Sequence, residues 1–180
     1  MLSNSQQCHA LASEWINVFS HSLTAAPQSP DDACNLFLAD SYWRDALGVT
    51  WQLDTMVGGA AIVTALHENA TRIGLSDLSL DDTASPPQWV NRAGTDAIEA
   101  FFRFETKAAI GRGIVRLCPT TKPTEAGNTD RQWRAWTLFT AIDQLKGHEE
   151  KLDRNRPTGS SYSRDFRGPN WLDKRLAAQK

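Results

Sequence analysis

The sequence predicts an α+β domain in which about three N-terminal helices cover one face of a curved antiparallel sheet. Apolar side chains recur at three- and four-residue intervals in the first part of the chain, the period of a helix, and alternate with polar ones in the second part, the period of a strand. The chain has 180 residues, the length of one domain. Hydrophobic residues at 41% and charged residues at 22% exclude a coiled-coil, collagen-like or wholly disordered chain.

Three helical segments are predicted in the N-terminal part. The first covers residues 5–25, which carry one apolar stripe before two prolines follow. The second covers residues 31–38, where acidic side chains in the first turn suit the positive end of the helix dipole. The third covers residues 60–70, after the pair Gly58-Gly59, because this segment is rich in alanine and has an apolar stripe.

The strands are predicted from alternation and from turn residues. Residues 41–58 contain aromatic and branched stretches around Gly48, which predict a strand pair or one bent strand. Gly111-x-Gly113 predicts a bulge or kink, and the Thr/Pro/Gly/Asn-rich residues 119–131 predict the loop of a long hairpin. The other predicted strands cover residues 75–80, 88–92, 98–107, 114–118 and 132–143.

The predicted domain spans residues 1–147, and residues 148–180 are predicted to form an extended C-terminal arm or linker. The arm holds eight basic and five acidic side chains, so its net charge is +3 and that of the remainder is −5. Because the basic residues are interleaved with acids, the pattern favours docking on its own or a partner domain, with Trp171 as an anchor, over RNA binding.

Charge and cysteine content narrow the function classes further. A net charge of −2 gives no bulk field for nucleic acid or an anionic membrane. Cys8, Cys34 and Cys118 are too widely spaced for a disulfide framework or a Cys-x-x-Cys metal site, so they are predicted to be buried thiols and no metal is expected. The longest apolar run, residues 58–66, is too short to cross a membrane, which predicts a soluble, cytoplasmic protein.

Two sets of motifs resemble a known family. The segment Tyr42–Leu47, followed by Thr50-Trp51 and Asp54-Thr55, and the tail segments Arg156-Pro157 and Asn170-Trp171 resemble the N-terminal region of microbial and fungal flavin-containing monooxygenases. In that family a cone-shaped domain of the nuclear-transport-factor-like, or SnoaL-like, superfamily precedes the flavoprotein module. The likeness spans nearly the whole chain and implies a SnoaL-like cone fold for the predicted domain.

The resemblance also implies partners. It implies a homodimer, a hydrophobic small-molecule ligand and a flavoprotein module in cis; nucleic acid and membrane are not expected as partners, because of the charge and the short apolar run. FAD and NADPH belong to that module; Gly111-x-Gly113 opens no helix and is not a nucleotide-binding fingerprint, so no cofactor is expected in this chain. Whether the chain, which stops at Lys180, is a detached N-terminal domain or a natural short relative is left open.

Asp45, Asp54 and His67 are the candidate catalytic residues. An inward Asp45 surrounded by indoles would have its neutral form favoured by desolvation and would serve as a general acid or base, with Asp54 or His67 as its partner. The alternative for Asp45 is a structural ion pair with Arg44 that fastens the helix layer to the sheet. The alternative for His67 is a solvent-facing position on its helix.

An aromatic cavity wall is predicted, because small-molecule sites are mostly apolar. The alternative is a packed core. On an unbroken strand Trp133 and Trp136 face opposite ways, so one of them is expected on the outer face, where cone domains of this type often dimerise. The predicted ligand-binding residues are Trp43, Trp51, Trp89, Phe102, Phe104, Trp136 and Phe139.

Charged residues on the long strands have two interpretations. Arg103, Glu105, Arg116 and Arg134 are interpreted as cross-strand pairs on a solvated or interface face. The alternative is an arginine whose planar guanidinium binds a carboxylate or enolate.

Three functions are therefore open from the sequence. The first is a small-molecule-binding accessory domain of a flavin-containing monooxygenase, involved in dimerisation or substrate handling. The second is a stand-alone cofactor-free isomerase, cyclase or dehydratase that acts on a hydrophobic secondary metabolite. The third is an assembly module whose cavity has collapsed. Fold alone does not choose among them.

Overall fold

A computed structural model describes residues 3–24, 33–123, 129–156 and 168–179. The chain divides into two units, Met1–His148 and Glu149–Lys180. The elements of the first unit are α1 (Asn4–Thr24), β1 (Phe37–Ala46), β2 (Leu53–Val57), α2 (Gly59–Ile73), β3 (Ser76–Leu80), β4 (Gln88–Arg92), β5 (Thr95–Glu105), β6 (Ala109–Pro123) and β7 (Thr129–Leu145). The second unit holds a 3-10 turn (Asp153–Asn155) and α3 (Trp171–Ala178).

The strands form one seven-stranded sheet in the order β2-β1-β7-β6-β5-β3, with β4 paired to β5. The β1–β7 pair is parallel, and the other pairs are antiparallel. Register shifts in the β6–β7 ladder mark bulges, which bend a sheet and increase its twist. The predicted α+β fold, a helix layer on a curved, mostly antiparallel sheet, is confirmed.

One face of the sheet, here called the inner face, is covered by α1 and α2. Strand residues alternate between the two faces, and those on the inner face meet the apolar stripes of both helices. The helices contribute Trp15, Ile16, Phe19, Ile62 and Leu66, and the strands contribute Trp43, Phe102, Phe104, Val115, Leu117 and Leu138, all buried. The core therefore occupies the space between helices and sheet.

The boundaries of α2 follow from two glycines with positive φ. Gly58, at φ +88°, precedes the helix, and Gly74, at φ +65°, ends it in the left-handed conformation. A side chain at either position would be strained, since L-residues rarely adopt these angles. The predicted third helix is confirmed, with three more residues at its C-terminal end.

Glycines on β6 make room for two aromatic rings. A Cβ atom at Gly113 would lie 2.2 Å from Cζ of Phe102, and one at Gly111 would lie 2.2 Å from Cζ of Phe104. Both rings therefore lie flat against the neighbouring strand and fill the space above these glycines. The bulge predicted at Gly111-x-Gly113 lies instead on the neighbouring strand: the register shift next to Gly111 leaves Asp143 of β7 without a partner in the ladder.

A double-mutant cycle tests this ring-over-glycine packing. We expect Gly113→Ala to lower the free energy of unfolding by about 2 kcal/mol, because a methyl group would overlap the Phe102 ring. In a Phe102→Leu background the cost should fall by at least about 0.5 kcal/mol, since the smaller side chain leaves room. Phe104→Leu is the matched control, because Phe104 covers the other glycine. Equal costs of Gly113→Ala in all backgrounds, measured by urea unfolding, would contradict this packing.

Three predictions about elements need correction. The helix predicted over residues 31–38 is wrong from Phe37 onward, because β1 begins there and pairs with β7; residues 31–32 lie outside the described part. The loop predicted over residues 119–131 is mostly strand: β6 runs to Pro123 and β7 starts at Thr129, while residues 124–128 are outside the described ranges. The arm contains the helix α3, which was not predicted.

Within the described ranges, no helix has the length and apolar character needed to cross a membrane.

Candidate functional site

The carboxylate of Asp45 is fully engaged by hydrogen-bond donors. Asp45 is 1% exposed and lies on the inner face, next to the last residue of β1. Its Oδ1 accepts from the backbone N–H of Gly48 at 3.0 Å and from Thr140 Oγ1 at 2.6 Å. Its Oδ2 accepts from the N–H of Val49 at 3.1 Å and from both the N–H and Oγ1 of Thr50 at 2.7 Å. Five donor groups thus surround one buried carboxylate.

These contacts hold the loop between β1 and β2. The loop contains two residues with left-handed backbone, Leu47 at φ 66° and Trp51 at φ 63°, and non-glycine residues adopt that conformation at a cost. The Trp43 indole N–H also donates to Thr140 Oγ1 at 2.8 Å, so Trp43, Thr140 and Asp45 form one chain of hydrogen bonds. The arrangement gives Asp45 a structural task; its catalytic role stays a prediction.

The ion pair proposed between Arg44 and Asp45 is wrong. Successive strand residues face opposite ways, and Arg44 Nη1 donates instead to Thr55 Oγ1 at 2.9 Å on the other face. The buried carboxylate of Asp45 is stabilised by hydrogen bonds from uncharged groups and not by a cation.

The other two catalytic candidates do not join Asp45 in a constellation. Asp54 pairs with Asp45 in the β1–β2 ladder but is exposed, and its Oδ1 accepts from the N–H of Thr55 at 2.7 Å. His67 lies partly exposed in the middle of α2. None of the three cavities described for this chain is lined by Asp45, Asp54 or His67.

The predicted aromatic wall divides between core and surface. Trp43, Phe102 and Phe104 are buried in the core, whereas Trp51 is 43% exposed in the β1–β2 loop. The remaining members lie elsewhere: Trp89 is half-exposed and packs edge-on against Trp133 at 5.4 Å, Trp136 lies beside the bulge in β7, and Phe139 is 36% exposed. Trp133, not Trp136, packs against the core.

The opposite side of the sheet, here called the outer face, carries an apolar row. Phe101, Ile114 and Phe139 lie side by side on the central strands β5, β6 and β7, and Arg44 on β1 follows them in register. All three apolar side chains are partly exposed, Phe139 to 36%. Cross-strand neighbours of this kind form one continuous strip.

A charged cluster borders this row. Glu99 on β5 is 5% exposed, and its carboxylate accepts from Arg116 at 2.7 Å and from Arg92 at 3.0 Å. Burial acts to raise the pKa of Glu99, but hydrogen bonds from the two arginines outweigh it and hold the pKa below its usual range. Arg116 also donates to Thr137 Oγ1 at 3.4 Å, so the cluster spans β4 to β7. This confirms a cross-strand pair for Arg116.

The cluster predicts a pH dependence. Because the pKa of Glu99 is lowered by folding, its stabilisation is present above the unfolded pKa, about 4.3, and is lost as the pH falls through the lower folded value. We expect Glu99→Gln to destabilise the chain by about 2 kcal/mol at neutral pH and by progressively less in acid. Urea unfolding over a pH series measures this. Glu105→Gln, whose carboxylate is half-exposed, is the control and should show little change; a difference for Glu99→Gln that does not depend on pH would contradict the prediction.

A shallow cleft of 280 Å³ opens beside the apolar row. Phe101, Ile114 and Phe139 line it, together with Arg112, whose Nε lies 3.5 Å from Asp81 and 3.3 Å from Asp143. Hydrogen bonds from Thr83, with a smaller contribution from Arg112, keep the pKa of Asp81 below its usual range. The guanidinium of Arg112 is thus already paired with the carboxylates of Asp81 and Asp143.

In the described residues, no group of three or more histidine, cysteine, aspartate or glutamate side chains is placed to hold a metal ion. Cys8 and Cys118 are buried and burial raises the pKa of both thiols, in keeping with the predicted buried thiols, while Cys34 is only partly buried.

Sequence reasoning missed the outer-face row, and one signal could have found it. Phe101, Ile114 and Phe139 each occupy the polar phase of their strands, where an alternating pattern calls for hydrophilic side chains. Apolar residues at three such positions indicate that the outer face of the sheet, like the inner face, is covered.

No protein-family model and no curated protein matches the sequence. Similar solved structures include a nuclear transport factor 2-like superfamily protein from Salmonella enterica, 14% identical over 86% of this chain and 99% of that chain, with a TM-score of 0.47. A steroid delta-isomerase from Pseudomonas aeruginosa is 12% identical over 82% and 85%, with a TM-score of 0.41. An LEH-like epoxide hydrolase from M. tuberculosis is 12% identical over 75% and 80%, with a TM-score of 0.37.

Further similar structures are described as nuclear transport factor 2-like or as having a ketosteroid isomerase-like fold. At such low identity and TM-score the likeness carries no assignment of function. None of the three names mentions a flavin-containing monooxygenase, so that resemblance rests on the sequence motifs alone.

Proposed function

We propose that the chain is an assembly domain that forms a homodimer through the outer face of its sheet. The observation that carries this proposal is the row Phe101, Ile114 and Phe139, which crosses the three central strands on the side of the sheet away from the helices. A large exposed apolar patch on a folded domain marks an interaction surface.

The apolar surface extends beyond the row. Tyr42 on β1 is 46% exposed and Leu53 on β2 is 66% exposed, and both lie on the same face as Phe139 by register. Large apolar and aromatic side chains in the centre with polar groups around them are the usual composition of a protein interface.

The charges on this face favour burial against another copy. Glu99 is neutralised by two arginines, and Arg112 by two aspartates. Arg44 donates to Thr55. Because these groups have partners within the chain, covering them leaves fewer polar groups unsatisfied than covering isolated charges would.

The resemblance to flavin-containing monooxygenases supports a finer proposal. Cone domains of this type often dimerise through the outer face, and the tail Asn170-Trp171 resembles the segment that leads into the flavoprotein. We therefore propose that the dimer is a cytoplasmic accessory domain to a flavoprotein module. Flavin absorbance that co-elutes with the tagged chain from its native extract would support this role, and a flavin-free eluate that contains the intact dimer would count against it.

Ligand binding and acid/base catalysis inside the cone stay predictions. The rings of Phe102 and Phe104 occupy the space above Gly113 and Gly111, and the carboxylate of Asp45 has its donors within the chain. These contacts are our reason for proposing the assembly role rather than the cofactor-free isomerase, cyclase or dehydratase.

Sedimentation equilibrium tests the assembly role. We expect the full chain to have twice the mass of one chain at micromolar concentration and to dissociate on dilution. A chain that stays monomeric at all concentrations would contradict the proposal.

A further inference from the structure

A cavity of 510 Å³ lies where α2 begins, a size typical of small-molecule sites. Its walls come from three elements: apolar side chains of β1, among them Phe37 and Leu38; the helix start Gly58–Ala61; and Arg134 on β7. Its described lining residues are mostly apolar, with Arg134 as the cation and no acidic side chain among them.

Arg134 has no counter-ion in the described part of the chain. No carboxylate there lies within ion-pair distance of its guanidinium. Among the described residues its buried Nε has no hydrogen-bond partner, and its Nη2 makes two long contacts, 3.4 Å each, with the amide oxygens of Asn35 and Gln132. Arginine stays charged in proteins, and a partly buried charge is normally paired. Within the described ranges the guanidinium is thus left without a counter-ion, which points to a bound anion as its partner.

The start of α2 adds a second positive element to the same cavity. The first turn carries no acidic residue, and no side chain caps it. Among the described hydrogen bonds, none uses the N–H groups of Gly59, Ala60 or Ala61. Free first-turn N–H groups and the helix dipole both favour a bound oxyanion.

We propose that this cavity binds a small molecule that carries a phosphate or carboxylate group on an apolar body. The guanidinium of Arg134 and the first-turn N–H groups of α2 hold the oxyanion, and the apolar body packs against Phe37 and Leu38. The site goes beyond the assembly role and does not depend on it.

Calorimetric titration of the full chain tests the site with three probes: phenyl phosphate, benzoate and the uncharged benzyl alcohol. We expect the aromatic anions to bind and the alcohol not to. Arg134→Gln should weaken anion binding at least about tenfold, because a charge-assisted hydrogen bond is lost. Arg103→Gln is the matched control, since Arg103 is exposed and contacts Ser79 on another strand, and it should bind as the wild type does.

A second variant keeps the test valid if Arg134→Gln folds poorly. Ala60→Asp places a carboxylate in the first turn of α2, where it stabilises the helix but repels an anion. We expect an unchanged or higher Tm together with at least about tenfold weaker anion binding. Absence of anion binding in the wild type, or unchanged affinity in either folded variant, would overturn the site.

Discussion

Asp45→Asn should lower the free energy of unfolding by about 3 kcal/mol. The carboxylate oxygens accept hydrogen bonds from the backbone of Gly48, Val49 and Thr50 and from two hydroxyl groups. An asparagine turns one of these oxygens into an NH₂ group, which donates and cannot accept. Buried N–H groups on that side then lose their acceptor, and the loop with left-handed Leu47 and Trp51 loses its support.

Urea unfolding followed by tryptophan fluorescence measures this effect. Asp54→Asn is the matched control, because Asp54 is the β-ladder neighbour of Asp45 but is exposed, and its change should stay within about 0.5 kcal/mol. An Asp45→Asn chain as stable as the wild type would show that the carboxylate does not hold the loop.

Phe139→Asp should convert the dimer into a monomer, with a dissociation constant raised at least about 100-fold. The substitution places a charge at the β7 end of the apolar row, next to Ile114 on β6, where a second copy would have to cover it. Because the Phe139 side chain is already 36% exposed in the single chain, the fold itself should lose little stability.

Val18→Asp is the control for this variant. Val18 is 50% exposed on α1, on the helix side of the sheet, and an added charge there should leave the dimer intact. Sedimentation velocity compares the two variants. A folded Phe139→Asp chain that stays dimeric would place the interface elsewhere.

The elements predicted well are those whose own side chains decide their structure. The period of α1 and the glycines around α2 are local signals, and both helices were predicted nearly to their ends. The predicted helix over residues 31–38 is wrong at residues 37–38. Phe37 pairs with Ala135 of β7, and this pairing holds the segment extended although its composition favours a helix. The strands of the β6–β7 hairpin are longer than predicted for the same reason. The hydrogen bonds of the β-ladder outweigh the preference of Pro119 for a loop.

The candidate site was harder to predict than the fold. The strand alternation puts Asp45 on the same face as the buried Trp43, but most of its hydrogen-bond donors belong to residues three to five positions further on, and only the loop conformation brings them together. That Arg134 has no counter-ion among the described residues depends on which acids lie near it in space, and a single sequence does not contain those distances. The outer-face row was readable once the register of β5 to β7 was known.

Hydroxyl-radical footprinting of the wild-type chain at high and low concentration tests the central claim, that the outer face is buried between two copies. Phe139 and Trp89 are matched probes, with exposed fractions of 36% and 39% in the single chain, and only Phe139 belongs to the outer-face row. The account predicts that Phe139 and Tyr42 become protected as concentration rises while Trp89 does not. Protection of Trp89 without protection of Phe139, or no change at either, would contradict it.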